Sequence, residues 1–286
     1  CWEIRDQPAL RREEDLPPAF AFAPVLRASA GNWADYAKSV DAAFAAALAD
    51  DRQAAALARK LTQGIEEPLA RARIIRDAVM RGVRPAGPSF TELPLRLLTP
   101  VDRTLAEGYG HAADRALVMT AMLRAAGLRA DPLLADAGQI DTPLAARTYT
   151  MPTVWHFDAA LVAARPRSGW LARRLGLRPR GDWPGGDRPL YLNDSDQYAE
   201  PGTTPHVYHA ALTRRGERTV VEVAEPFRPL ATSEWQIDVS EAGTADMTVV
   251  DRFAGPACGA FRKQILEMTP ERRKRHFQEL VGAVSQ

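Results

Sequence analysis

Cysteine is nearly absent: the 286 residues hold two, Cys1 and Cys258, at opposite ends of the chain. Two thiols so placed build no disulfide framework and match no metal-ligand spacing, and they leave the redox compartment open. Lysine is scarce too. Only Lys38, Lys60, Lys263 and Lys274 occur among 37 basic residues, and this Ala- and Arg-rich balance points to a GC-rich bacterial genome. Charge of one sign is lacking as well. The net charge is +1, so bulk charge makes no case for nucleic acid or an acidic surface as partner. No apolar run reaches the ~18 residues that a membrane span needs, and no secretory leader is visible. No loop carries the dense carboxylate pattern of a calcium site, and nothing calls for a cofactor. The chain opens at Cys1 without Met, as expected of a processed product or an excised piece. A lipid-modified Cys1 would need a flexible tether, whereas Trp2-Glu3-Ile4-Arg5 reads as a strand.

What is present is enough for a core: 46% of residues are hydrophobic and 26% charged, as in ordinary globular domains. Residues 1–30 read as an apolar, extended lead in which Pro17, Pro18 and Pro24 forbid a continuous helix. Helical spacing then predicts helices over 32–50, 54–61 and 68–80. Thr99-Pro100 has the form of a helix start, a hydroxyl cap before proline. A longer helix fits 112–126, capped by Gly127, with Leu117, Val118, Ala121, Met122 and Ala125 on its buried face. Beyond Gly127 the pattern turns to strands, at 128–135, 153–164, 188–193, 206–212 and 218–224. A hairpin follows over 235–255, turning near Ala242-Gly243. An amphipathic helix opens at Thr269-Pro270, with Phe277, Leu280 and Val281 on one side and Arg272–Arg275 on its wet face. Helices first and antiparallel strands later is an α+β order rather than alternating βαβ.

The segment 108–127 is the most informative. A glycine turn feeds the start of a long buried helix. There the free N–H groups and the positive dipole end would lower a thiol's pKa and favour the thiolate. A histidine must then reach that thiol, and a third polar group must orient the histidine. The stretch GYGHAADRALVMTAMLRAAGL resembles the core motif of the bacterial transglutaminase-like superfamily: a glycine, a variable residue, the cysteine, an aspartate two positions on, and an Ala-rich helix ending in LRAAG. On that resemblance Gly110 takes the motif glycine, His111 the variable place, Ala112 the cysteine place and Asp114 the helix aspartate. The resemblance further implies His156, in TVWHFDAAL beside Trp155, as the catalytic histidine. It implies Asn193, in YLNDSDQY beside Asp194, as the third member; papain-like peptidases also orient their histidine with asparagine. The motif is specific at 108–128, and the resemblance extends over about 15–225.

The implied fold is α+β, a papain-like transglutaminase core with a helical layer on an antiparallel sheet and partial β-rich flanks. The implied domains are a lead over 1–30 that ends a preceding β-sandwich, a core over 31–230, and a hairpin and helix over 231–286 that start a further β-rich domain. Proteins of this arrangement belong to large bacterial polypeptides, usually exported, so a periplasmic or envelope location is expected. The pattern breaks at Ala112, which has no nucleophile, and acyl transfer is not expected of the chain as it stands. Two explanations are open. One is a pseudoenzyme whose cleft binds a peptide or protein, or which acts as a spacer between its flanking domains. The other is a cysteine acyl-transferase or peptidase whose nucleophile has been replaced by alanine.

Other residues have plainer readings. His156 could be only a half-buried strand histidine, and Asp114 a structural carboxylate in the first helical turn. His206 and His209, three apart on a strand, would face opposite ways as surface polar groups. The Arg-, Gly- and Pro-rich insertion 165–187, with Trp170 and Trp183, reads as a solvated loop. Cys258 has no base or helix start in its sequence context that would make it a substitute nucleophile.

Overall fold

The computed structural model describes residues 26, 28–94, 97–143, 145–153, 155–167, 183–184, 188–192 and 197–284. Most of the lead and of the insertion, with Trp170, Asn193 and Asp194, lies outside them.

Four helices come first. Helix α1 (Trp33–Leu48) is capped by Asn32, whose side chain accepts the Asp35 N–H, and it buries Ala37, Val40, Phe44 and Ala47. Helix α2 (Arg52–Leu61) and helix α3 (Pro68–Gly82) follow, the latter with proline in its first turn. Helix α4 (Val101–Glu107) starts without a hydroxyl cap: its cap residue is Pro100 and no side chain caps it. The expected Thr99 cap is not made, because the helix starts at Val101 and Thr99 falls one residue before the cap position; its N–H donates instead to Asp114 Oδ1 at 2.9 Å. Two-residue strands β1 (Arg84–Pro85) and β2 (Tyr109–Gly110) pair in parallel on either side of α4 in the chain.

Helix α5 (Ala112–Ala125) is the centre of the molecule. Every residue from Ala113 to Leu123 is buried, rather than a single stripe. It is packed by α1–α4 and by two strands of the main sheet, so no face is left for water, and a helix apolar nearly all round is what such a position requires. Gly127, at φ +88°, turns the chain from this helix into the sheet. Only glycine adopts that conformation without penalty.

Strands β3 (Leu128–Ile140), β4 (Ala159–Pro166), β5 (Leu190–Leu192), β6 (His209–Leu212) and β7 (Arg218–Val220) form a five-stranded sheet in the order β5-β4-β3-β6-β7. All four of its pairings are antiparallel. The mixed α+β architecture is the expected one. The chain ends with a separate hairpin of β8 (Leu230–Val239) and β9 (Ala245–Ala254), then helix α6 (Pro256–Glu267), which the periodicity had not suggested, and helix α7 (Pro270–Val284). Glu200 bridges Arg73 of α3 and Arg262 of α6, each at 2.7 Å, across the surface between them.

Candidate active site

Ala112 is the first residue of α5, where the helix leaves backbone N–H groups free. The preceding His111 caps the helix: its Nδ1 accepts the Asp114 N–H at 3.3 Å, and only 7% of the residue is exposed. The ring is therefore an acceptor at Nδ1 and carries its proton at Nε2. Nε2 lies 3.3 Å from Asp114 Oδ2, close in distance but outside hydrogen-bond geometry. Burial holds the His111 pKa below its ordinary value, against the pull of the Asp114 charge. Asp114 Oδ1 accepts the Thr99 N–H, which ties the segment before α4 to the start of α5. Gly110 is required by space: a Cβ there would meet Asp114 Cβ at 2.9 Å and Thr104 Cγ2 at 3.0 Å.

His156 does not sit in a strand. It lies in a turn closed by its own N–H to the Thr153 carbonyl at 3.4 Å, before β4 begins at Ala159. Trp155 beside His156 is largely exposed, at 69%. The polar partner of His156 among the described residues is one that sequence reasoning missed. His156 Nδ1 lies 3.4 Å from Asp136 Oδ2. Asp136 is 4% exposed; its Oδ2 accepts the Tyr149 hydroxyl at 2.8 Å and its Oδ1 accepts the Gly138 N–H at 2.7 Å. Burial would raise the Asp136 pKa, but the His156 ring beside it and the hydrogen bonds from Tyr149 and Gly138 outweigh it and hold the carboxyl below its usual value. The available signal was a charged residue inside the apolar run LLADAG of β3.

Tyr149 belongs to a 3-10 turn over Ala145–Thr150 and is buried. Its ring stacks on Phe157 at 5.6 Å and tilts against His156 at 4.9 Å, and its carbonyl accepts the Trp33 indole N–H at 2.7 Å. Arg218 lies over the same ring at 5.6 Å. His206 and His209 correct a second expectation. Tyr208 between them adopts φ +65° and the His209 N–H turns back to the His206 carbonyl, so the rings meet edge to face at 5.5 Å. The strand begins only at His209, and strand alternation does not apply before it. His209 Nδ1 donates to the Asp136 carbonyl at 2.6 Å. Burial, with His209 adding to it, lowers the His206 pKa.

Chain geometry relates the two clusters. Helix α5 has 14 residues and at ~1.5 Å each runs about 21 Å. Strand β3 returns antiparallel from Gly127 and covers that length in about six residues at ~3.3 Å each, which reaches Leu134. Asp136 follows closely, and β4 pairs Ala159 with Ala135. The His156–Asp136 pair and the start of α5 therefore belong to the same end of the α5–sheet sandwich.

Residues 55–172 match the family model of the transglutaminase-like superfamily. Residues 55–172 form a transglutaminase-like domain. Ala112, Asp114, Asp136 and His156 all fall within it. Among solved structures, a protein from Parabacteroides distasonis proposed to be a protease aligns at 15% identity with a TM-score of 0.48. The alignment covers 68% of this chain and 32% of that protein, so this chain spans about a third of that protein's length. No curated protein matches the chain. Among the described residues no cluster of His, Cys, Asp and Glu is arranged to hold a metal, and no helix is long and apolar enough to cross a membrane. Cys258, on α6 and half-buried, is free.

Proposed function

We propose that this transglutaminase-like domain binds a peptide or protein at the old active-site cleft and does not catalyse acyl transfer. The observation that carries the reading is Ala112. At the helix position where the resemblance expects a thiol stands a methyl group, which can neither attack a carbonyl nor form an acyl intermediate. The groups suited to an amide remain: free N–H groups at the helix start for a carbonyl oxygen, and the imidazole of His156 for an N–H. Ala112, His156 and Asn193 are the positions assigned to the cleft, with Gly110, Asp114, Trp155 and Asp194 in support. The core is assigned to 31–230, and 231–286 to a further piece; among the described residues β8 and β9 pair only with each other, which supports that division. In this reading the domain is one module of a larger bacterial envelope protein.

A second reading has one observation in its favour. Asp136 and Tyr149 still surround His156, as would suit an acyl-transferase or peptidase whose nucleophile has been exchanged. One experiment separates the two. In the Ala112→Cys variant, alkylation by iodoacetamide is followed across pH, together with hydrolysis of peptide amides. A thiol of ordinary pKa with no amidase activity fits the binding module. A thiolate formed well below the free-thiol range, with turnover, overturns it. A peptide array probed with the unaltered chain should show saturable binding that the exposed Trp155→Ala change weakens, and an empty array would count against the module.

A further inference from the structure

We infer that Asp136 is the positioning residue that orients His156, the role the family resemblance gives to residue 193. The inference rests on the proposed cleft for its purpose, though not for its chemistry. An ionised carboxylate only accepts hydrogen bonds. A ring nitrogen 3.4 Å from Asp136 Oδ2 is attracted to it when it carries the proton, which leaves the His156 Nε2 lone pair to meet a ligand N–H. An asparagine could present either its oxygen or its NH2 group and would not set the tautomer alone.

Asp136 is itself held from several directions. Gly138 fixes Oδ1, Tyr149 fixes Oδ2, and the His209 ring fixes the main-chain carbonyl. Tyr149 touches both the carboxylate and the imidazole, and its backbone is anchored to Trp33 at the start of α1. Elements distant in sequence thus converge on one carboxylate. At 3.4 Å the pair is an ion-pair approach outside hydrogen-bond geometry, and contacts in such sites commonly tighten only around a ligand. The charged and titratable groups around the pair are His206, His209, Asp158 and Arg218.

The contrary possibility is a carboxylate that serves only to satisfy Tyr149 and Gly138. The tautomer of His156 separates the two, and it can be read on the unaltered chain by two-bond nitrogen–proton NMR of the imidazoles. The Nδ1–H form is expected, and it should persist in Asn193→Ala. In Asp136→Asn the amide oxygen should stay on the Gly138 N–H, so that the NH2 group faces His156 and the ring flips to Nε2–H. An Nε2–H ring in the unaltered chain, or a tautomer lost in Asn193→Ala and kept in Asp136→Asn, overturns the inference. If Asp136→Asn does not fold, the unaltered chain and Asn193→Ala still decide. An empty peptide array would sink the binding function and leave the tautomer result standing, so the two failures can be told apart.

Discussion

Asp102 and Ala54, 48 residues apart, are joined by a 2.9 Å bond from the Ala54 N–H to Asp102 Oδ1. The other carboxylate oxygen accepts the Gln53 N–H at 2.8 Å. A carboxylate on α4 thus caps α2, whose own cap residue Asp51 makes no side-chain bond to the helix. Asp102 is 5% exposed. Truncating it strands two donors, so Asp102→Ala should cost about 2–3 kcal/mol in urea unfolding. Asp51→Ala, in the position that sequence rules would favour, should stay within about 0.5 kcal/mol.

Two glycines of nearly equal backbone conformation should respond differently to the same change. Gly216 has φ +79°, and a Cβ there would lie 2.6 Å from Ala34 Cα and from the Trp33 carbonyl oxygen. These are backbone atoms with no rotamer to escape into, so strain and overlap add. Gly243 has φ +78° with open space around it. Gly243→Ala should cost about 1 kcal/mol. Gly216→Ala should cost at least about twice that, seen as a clearly lower midpoint in thermal unfolding.

Stability should fall on mild acidification. The folded-state pKa values of His111 and His206 lie below the ordinary 6.5, so the unfolded chain takes up protons first. The stabilising contribution is full above about pH 6.5 and declines as pH falls through the folded values. Protonation would also remove the Nδ1 acceptor that caps α5. Urea midpoints at pH 7.5 and 5.5 should therefore differ. His111→Asn, which keeps a capping oxygen, should narrow the gap, and His111→Asn combined with His206→Gln should close most of it. An unchanged gap in the double variant would exclude these two rings as its source.

Asp136 acts in the same direction, but at lower pH. Its pKa is lowered from 3.8 in the folded chain, so its contribution is complete above that value and lost as pH falls through the folded one. Tyr149→Phe removes one donor to the carboxylate. It should cost about 1–2 kcal/mol at neutral pH and make acid unfolding begin at higher pH than in the unaltered chain.

Much of the fold was legible because it follows local rules. Asn32 caps α1 and Gly127 ends α5 as capping chemistry requires, and Phe44 and Ile75 fall on buried positions that helical spacing marks. The motif around Gly110 and Ala112 was legible because helix starts have a strong signature. What was missed depends on contacts between distant segments. Nothing near Asp102 in the sequence says that it caps a helix 48 residues away. Asp136 finds Tyr149 only through the 3-10 turn, and His206 meets His209 only because Tyr208 takes a left-handed conformation. Helix α6 went unseen because its apolar residues, Phe261 and Leu266, are exposed rather than aligned toward a core.

The enclosure of α5 has a consequence for how the domain breathes. A helix with water on no side cannot fray away by itself, so its amide protons can exchange with deuterium only when the surrounding layers separate. The amide of Leu117 should then be among the slowest in the chain, close to the limit set by global opening. The outward amides of β8 and β9 should exchange within the first time points. In the proposed reading the cleft lies at the start of that helix, so a bound peptide would slow exchange throughout the core, and protection far from the cleft would report occupancy.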